Sequence, residues 1–203
     1  MTKITLKFKP DESETHPWAR FPETNNATKL ILGSFPPQRF TDNHKNLKKN
    51  DLDFFYGSKE NAFWNLFCKA QNTDINCQNI ESLKNYLEKN NWIVSDIILK
   101  TKRTKISALD RDLDVQLWNI ETIKDILNTN KIEIIYFTSK WVYEHFYKYI
   151  AHHFEKIPKT VILISPSKNG LMSLNWAREI YKQLQTENNT EYRERYYSHF
   201  LNL

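Results

Sequence analysis

Leu30-Ile31-Leu32-Gly33-Ser34-Phe35-Pro36-Pro37 is a short apolar run that stops abruptly at Gly-Ser and is followed by two prolines. The run reads as a buried strand, and the proline pair holds the residues after it extended instead of helical. This builds a loop at the carboxyl end of a strand, which is where ligands sit in open α/β sheets. Ser34 and Phe35 on that loop are candidates for the floor of a pocket that grips a planar group. Further on comes Phe54-Phe55-Tyr56-Gly57-Ser58-Lys59-Glu60-Asn61-Ala62-Phe63-Trp64. Here Asn61 opens a helix whose inward side carries Phe63, Trp64 and Phe67.

Away from this centre the chain alternates strands and helices. Continuous apolar runs at 29–33, 92–98, 132–137 and 160–164 suit strands buried on both faces of a parallel sheet. Helical patterns occupy 61–71, 79–89, 119–128, 140–150 and 173–186, with Thr138-Ser139 and Ser173 as caps. Right-handed crossovers then give a three-layer α/β/α sandwich around a four-stranded parallel sheet. Residues 1–28 read as an N-terminal arm, 29–186 as the domain, and 187–203 as a C-terminal helix. That helix packs on the body through Tyr192, Tyr196, Tyr197 and Phe200.

Composition sets the bounds. A chain of 203 residues with 40% hydrophobic content supports one domain with a real core. Its net charge of +5 suits a polyanion partner and equally a mere solubility surplus. Two cysteines, Cys68 and Cys77, are too few for a disulfide framework or a four-cysteine iron–sulfur cluster, so a reduced, cytoplasmic setting is expected. No leader-like or membrane-spanning apolar run is seen. Adjacent His152 and His153 lack a ligand pattern around them, and neither a metal nor a cofactor is expected.

The two opening segments together resemble the uracil-DNA glycosylase superfamily, and most closely its hypoxanthine-DNA (DNA-deoxyinosine) glycosylase branch. That branch looks like a strand, Gly-Ser/Thr-x-Pro, then Tyr-Tyr-Gly-x-x-x-Asn-x-Phe-Trp. The resemblance runs over residues 28–185. It takes in Asp96 with Lys102-Arg103, Ser107-Ala108-Leu109-Asp110-Arg111-Asp112-Leu113, and the late loop Leu163-Ile164-Ser165-Pro166-Ser167. It implies a uracil-DNA glycosylase-like fold and a monofunctional enzyme, acting as a monomer on DNA that contains hypoxanthine or uracil. Asn61 matches the Asn thought to orient the attacking water, while Gly33, Ser34, Phe35 and Tyr56 would bind the base. Many superfamily members carry Asn or Asp where this chain has Phe35, and His-Pro stands in the family pattern where this chain has Ser58-Lys59. The His that heads the late loop in many members is replaced here by Ile164 and Ser165, which puts leaving-group stabilisation on backbone donors.

Each of these residues also has a plainer reading. An Asn ahead of an aromatic helical stripe caps the helix, and Phe35 and Tyr56 can simply fill a core. Ser165, Ser167, Lys168 and Asn169 either hold a phosphate and wedge the duplex or make an ordinary turn. Lys100, Lys102, Arg103 and Lys105 either neutralise phosphates or form a solvated loop. Asp96, Asp110 and Asp112 could supply a general base, or could cap and pair with Arg103 and Arg111. Two further functions stay open: an inactive nucleic-acid binder on the same face, and a nucleoside-processing enzyme using the sheet-end pocket.

Overall fold

The computed structural model describes residues 12–23, 26–41, 45–73, 75–105, 107, 109–167, 171–184 and 186–202. In chain order the strands are β1 (Ser13–Thr15), β2 (Arg20–Phe21), β3 (Lys29–Gly33), β4 (Trp92–Asp96), β5 (Ile98–Arg103), β6 (Leu113–Trp118), β7 (Ile134–Phe137) and β8 (Lys159–Ile162). The helices are α1 (Phe63–Ala70), α2 (Ile80–Lys89), α3 (Ile120–Thr129), α4 (Lys140–Tyr149), α5 (Leu171–Ile180) and α6 (Asn189–Leu201).

The four apolar runs do pair in parallel, in the spatial order β4-β3-β7-β8. The expected four-stranded parallel sheet is nevertheless incomplete in two respects. A fifth strand, β2, joins the β4 edge antiparallel, and a separate antiparallel sheet forms in the order β1-β5-β6. The expected strand 92–98 divides at buried Ile97: the chain leaves the parallel sheet after Asp96 and enters the second sheet at Ile98. β5 is therefore the strand that carries Lys100, Lys102 and Arg103, where a solvated basic loop was one reading.

Side-chain alternation along the strands separates two apolar layers. Ile31, Val94, Tyr136 and Val161 face α1, α2, α5 and α6, while Leu30, Leu32, Ile93, Ile135 and Phe137 face α3 and α4. Helix starts follow their caps: Asn79 accepts the Ser82 N–H and Ser139 the Val142 N–H. The expected start at Ser173 is corrected, because that helix begins at Leu171. In α6, buried Tyr196 and Tyr197 donate to the Ile162 and Ile164 carbonyls at 2.7 and 2.8 Å, giving the outer strand and the segment after it donors on that side. Cys68 and Cys77, too few for a disulfide framework and expected in a reduced setting, are joined in a disulfide with Cα atoms 6.6 Å apart, because the end of α1 and the segment before α2 return to one another.

β3 lies between β4 and β7, so its connections leave in opposite directions. The gap between the carboxyl ends of β3 and β7 is thus the topological switch point of the sheet.

Candidate functional site

A cavity of about 150 Å³ opens at this switch point, lined by residues that follow β3, β4, β7 and β8 and by the segment before α1. Ser34 and Phe35 come from the β3 loop, Asp96 from the end of β4, Thr138 and Ser139 from the end of β7, and Ser165 and Ser167 from the loop after β8. Tyr56 and Asn61 complete it, with Asp110 arriving from the turn before β6. The volume is small beside the several hundred Å³ of sites for drug-sized ligands. One flat ring system fits it better than a whole nucleotide does.

Gly33 itself makes room for the floor. A Cβ there would lie 2.5 Å from Asp96 Oδ1 and 2.5 Å from the Tyr56 ring, so only glycine allows the two side chains to close over the end of β3. Tyr56 has φ of 54°, an unusual conformation for a bulky residue. It is held there by its hydroxyl, which donates to the Ser95 carbonyl at 2.9 Å, and by packing on Phe63 with ring centroids 4.7 Å apart. Burial, with Asp96 beside it, pushes the Tyr56 phenol well above its ordinary pKa, so it stays a neutral wall. Gly57 follows because a Cβ there would meet the Leu52 carbonyl oxygen at 2.0 Å.

The turn beneath Tyr56 is pinned by charge. Arg39 donates to Asp51 through Nε and Nη2 at 2.7 and 3.0 Å, and also to Ser58 and Glu60. Burial raises the Asp51 carboxyl, but Arg39 and the N–H groups of Lys59 and Lys48 outweigh it and hold the pKa down to about 2. Ser58, at the place where the family pattern has His-Pro, therefore serves this network.

Asn61 lines the cavity, and its Oδ1 accepts the Phe63 N–H at 2.8 Å. That is the capping geometry, and a carbonyl oxygen keeps a second lone pair for another donor. Its backbone bridges to Ser167, and the Ala62 N–H donates to the Pro166 carbonyl, which locks the two loops together. Arg193 of α6 steadies the same loop by donating to the Ser167 carbonyl at 3.3 Å. Lys168 and Asn169, expected as the tip of this loop, lie outside the described residues.

Phe35 is 9% exposed and belongs to the core facing α3 and α4 while still lining the cavity. What holds it is Arg103, and here the expected phosphate contact is corrected. Arg103 is 3% exposed, pairs with buried Glu14 at 2.9 Å, donates to the Pro36 carbonyl at 2.6 Å and sits 5.7 Å over the Phe35 ring. Enclosed this way it cannot reach DNA, and it works as the clamp of the Phe35 loop. Lys102 is half-buried on β5, opposite Ser13 of β1.

Two carboxylates meet at the cavity. Ser34 Oγ donates to Asp110 Oδ1 at 2.6 Å. Burial is the main reason that the Asp110 pKa is raised to about 6; the Ser34 hydrogen bond and Arg103 pull against it, and the charge of Asp96 adds to it. Asp96 in turn pairs with His16 at 2.9 Å, a residue that sequence reasoning left in an N-terminal arm. The only hint was its place in His16-Pro17-Trp18, a conspicuous group within an otherwise patternless segment. Among the described residues no group of three or more His, Cys, Asp and Glu is arranged to hold a metal, and no helix is long and apolar enough to cross a membrane.

No family model matches the chain, and no curated protein matches it. Among solved structures it is similar to a candidate uracil DNA glycosylase from Methanosarcina acetivorans, with 20% identity, a TM-score of 0.49, and coverage of 89% of this chain and 96% of that one. A likeness of that degree assigns neither an activity nor a substrate.

Proposed function

We propose that this protein is a monofunctional DNA glycosylase that hydrolyses the N-glycosidic bond of a deaminated base, hypoxanthine or uracil, in DNA. One observation carries the reading. Phe35, Tyr56 and Asn61, the residues of the two resembling segments, converge with Ser34, Ser165 and Ser167 on a single ring-sized cavity at the sheet's switch point. A base inside a duplex must leave its stack to be cut, and an extruded base is held by ring faces and by hydrogen bonds to its edge. Phe35 and Tyr56 supply the faces. Asn61, fixed by α1 on one lone pair, offers the other to a water near the sugar. Among the described residues no lysine lines the cavity, which favours attack by water over attack by an amine.

Ser165 and Ser167 are assigned to a DNA phosphate, with Lys168 and Asn169 at the tip that enters the duplex. Lys102, half-buried on β5, joins them. The test is a panel of labelled oligonucleotides, each with one modified base, incubated with the protein and then treated with alkali. Cleavage at hypoxanthine or uracil is expected at high enzyme concentration, and intact strands for every base in single- and double-stranded DNA would overturn the reading.

A further inference from the structure

The turn from Tyr56 to Asn61 has a second side. Tyr56, Gly57, Ser58 and Asn61 line the ring-sized cavity and also a second one of about 310 Å³, which is bounded by this turn, the start of α1 and the segment before α2. The two cavities differ in charge. Glu60, Asp96 and Asp110 line the first, whereas no carboxylate among the described residues lines the second. A phosphate is therefore repelled by the one and admitted by the other.

The polar lining of the second cavity is rich in donors. Lys59 is exposed, and its ammonium makes no ion pair among the described residues, while Lys48 is neutralised by Glu60 next door. Gln78 Nε2 donates to Asn65 Oδ1 at 3.1 Å. That bond takes up the Asn65 oxygen and a single Gln78 N–H, so the Asn65 amide keeps its N–H donors. The Cys68–Cys77 disulfide joins the helix that carries Asn65 to the segment that carries Gln78, which holds the amide pair in place. Leu52 and Trp64 give the cavity a small apolar wall beside these groups.

We propose that this second cavity binds the sugar and phosphate next to the extruded nucleotide on the same DNA strand, with Lys59 neutralising the phosphate and the Asn65–Gln78 amides bonding its oxygens and those of the sugar. The inference rests on the glycosylase reading. Most protein–DNA hydrogen bonds go to such oxygens, and Lys, Asn and Gln are among the side chains that make them. Tyr56 and Asn61 belong to both cavities, so a strand that places its extruded base in the first brings its adjoining backbone to the second. The contact reads no sequence. It fixes the register of the strand, so that the nucleotide facing the Tyr56–Asn61 turn is the one drawn out.

Binding of a lesion duplex is to be measured as a function of salt, together with thermal melting, on wild type, Lys59→Gln, Lys59→Arg, Asn65→Ala and Gln78→Ala. The duplexes carry either natural phosphates or a single uncharged methylphosphonate beside the lesion on its own strand. Lys59→Gln should weaken binding threefold or more and reduce the slope of log affinity against log salt by about 0.9, while Lys59→Arg should keep the slope. Asn65→Ala and Gln78→Ala should each weaken binding threefold or more with the slope kept. A methylphosphonate on one side of the lesion should cost wild type threefold or more and should cost Lys59→Gln nothing further. Variants that all bind as wild type does, when wild type releases the base, overturn the inference and leave the glycosylase reading standing. A methylphosphonate cost undiminished in Lys59→Gln also overturns it, because Lys59 then acts only as general charge. Inorganic phosphate that displaces the duplex from wild type more than chloride at equal ionic strength does, and not from Lys59→Gln, makes the cavity a free-phosphate site and overturns it too. A wild type that releases no base from any oligonucleotide ends both readings. If Asn65→Ala or Gln78→Ala fails to melt cooperatively, the methylphosphonate comparison between Lys59→Gln and Lys59→Arg decides.

Discussion

Asp110→Asn should make the protein more stable at neutral pH and leave its stability unchanged at pH 4. The Asp110 carboxyl is raised to about 6 in the folded chain, against roughly 3.9 in an unfolded one. The folded state therefore holds a proton that the unfolded state releases between those two values. As pH rises through this window the native state is destabilised, and above about 6 the full cost is present. Two pKa units correspond to about 3 kcal/mol, and because Asp110 is only partly enclosed we take about 2 kcal/mol. Asparagine keeps the shape and its oxygen still accepts the Ser34 hydroxyl, so the hydrogen bond survives and only the charge goes. Urea unfolding of both proteins at pH 4, 5, 6 and 7.5 measures the difference directly. The gain should grow from nothing at pH 4 to about 2 kcal/mol at pH 7.5, with a melting shift at neutral pH of about 4–8 °C. Asp110→Asn that destabilises at pH 7.5, or shifts stability equally at all four values, would refute the reasoning. A gain in stability would also show that the native carboxylate is retained against the fold's interest, as at other functional sites.

Three further outcomes follow from the same contacts. Arg103→Met should cost about 3–5 kcal/mol by urea unfolding, because Glu14 is left charged and buried, and adding Glu14→Gln should recover much of the loss; the salt dependence of DNA binding should not change, whereas Lys102→Ala should reduce its slope by about 0.9 if that residue meets a phosphate. Gly33→Ala should destabilise by about 1–3 kcal/mol, since the new methyl displaces Asp96 and Tyr56, and an unchanged melting temperature would contradict the close approach at the end of β3. Asn61→Ala should lower the single-turnover rate about 100-fold, a loss of roughly 2.7 kcal/mol; a melting shift worth about 1 kcal/mol with an unchanged rate would make Asn61 a helix cap alone.

The parallel sheet was legible because strands buried on both faces must be apolar throughout. That is why 29–33 matched β3 to the residue and the other three runs matched within a few. The second sheet was not read, although Leu113-Asp114-Val115-Gln116-Leu117 alternates as a half-exposed strand should. Its partner β5 hides the pattern: Ile98-Leu99-Lys100-Thr101-Lys102-Arg103 carries register shifts at Lys100, and one of its buried positions is a charged residue. From spacing alone Arg103 reads equally as a phosphate contact, a loop cation or a partner of a nearby aspartate. Only the contact with Glu14, 89 positions earlier in the chain, shows that it is a core residue with its charge neutralised.

The site divides along the same line. Ser34, Phe35, Tyr56 and Asn61 sit in two continuous segments, so local spacing could find them. The acidic half is assembled across distance: His16 lies 80 residues from Asp96, and Ser34 lies 76 from Asp110. No periodicity reports a pairing of that kind. The parallel register does, once it is known. Because Gly33 stands opposite Asp96, the neighbouring strand end delivers a carboxylate into the space that the missing Cβ leaves, where it packs with Tyr56. In the proposed reading Phe35 then serves as a ring face, and the glycine at the end of β3 is required by the carboxylate of another strand as much as by the turn that follows it.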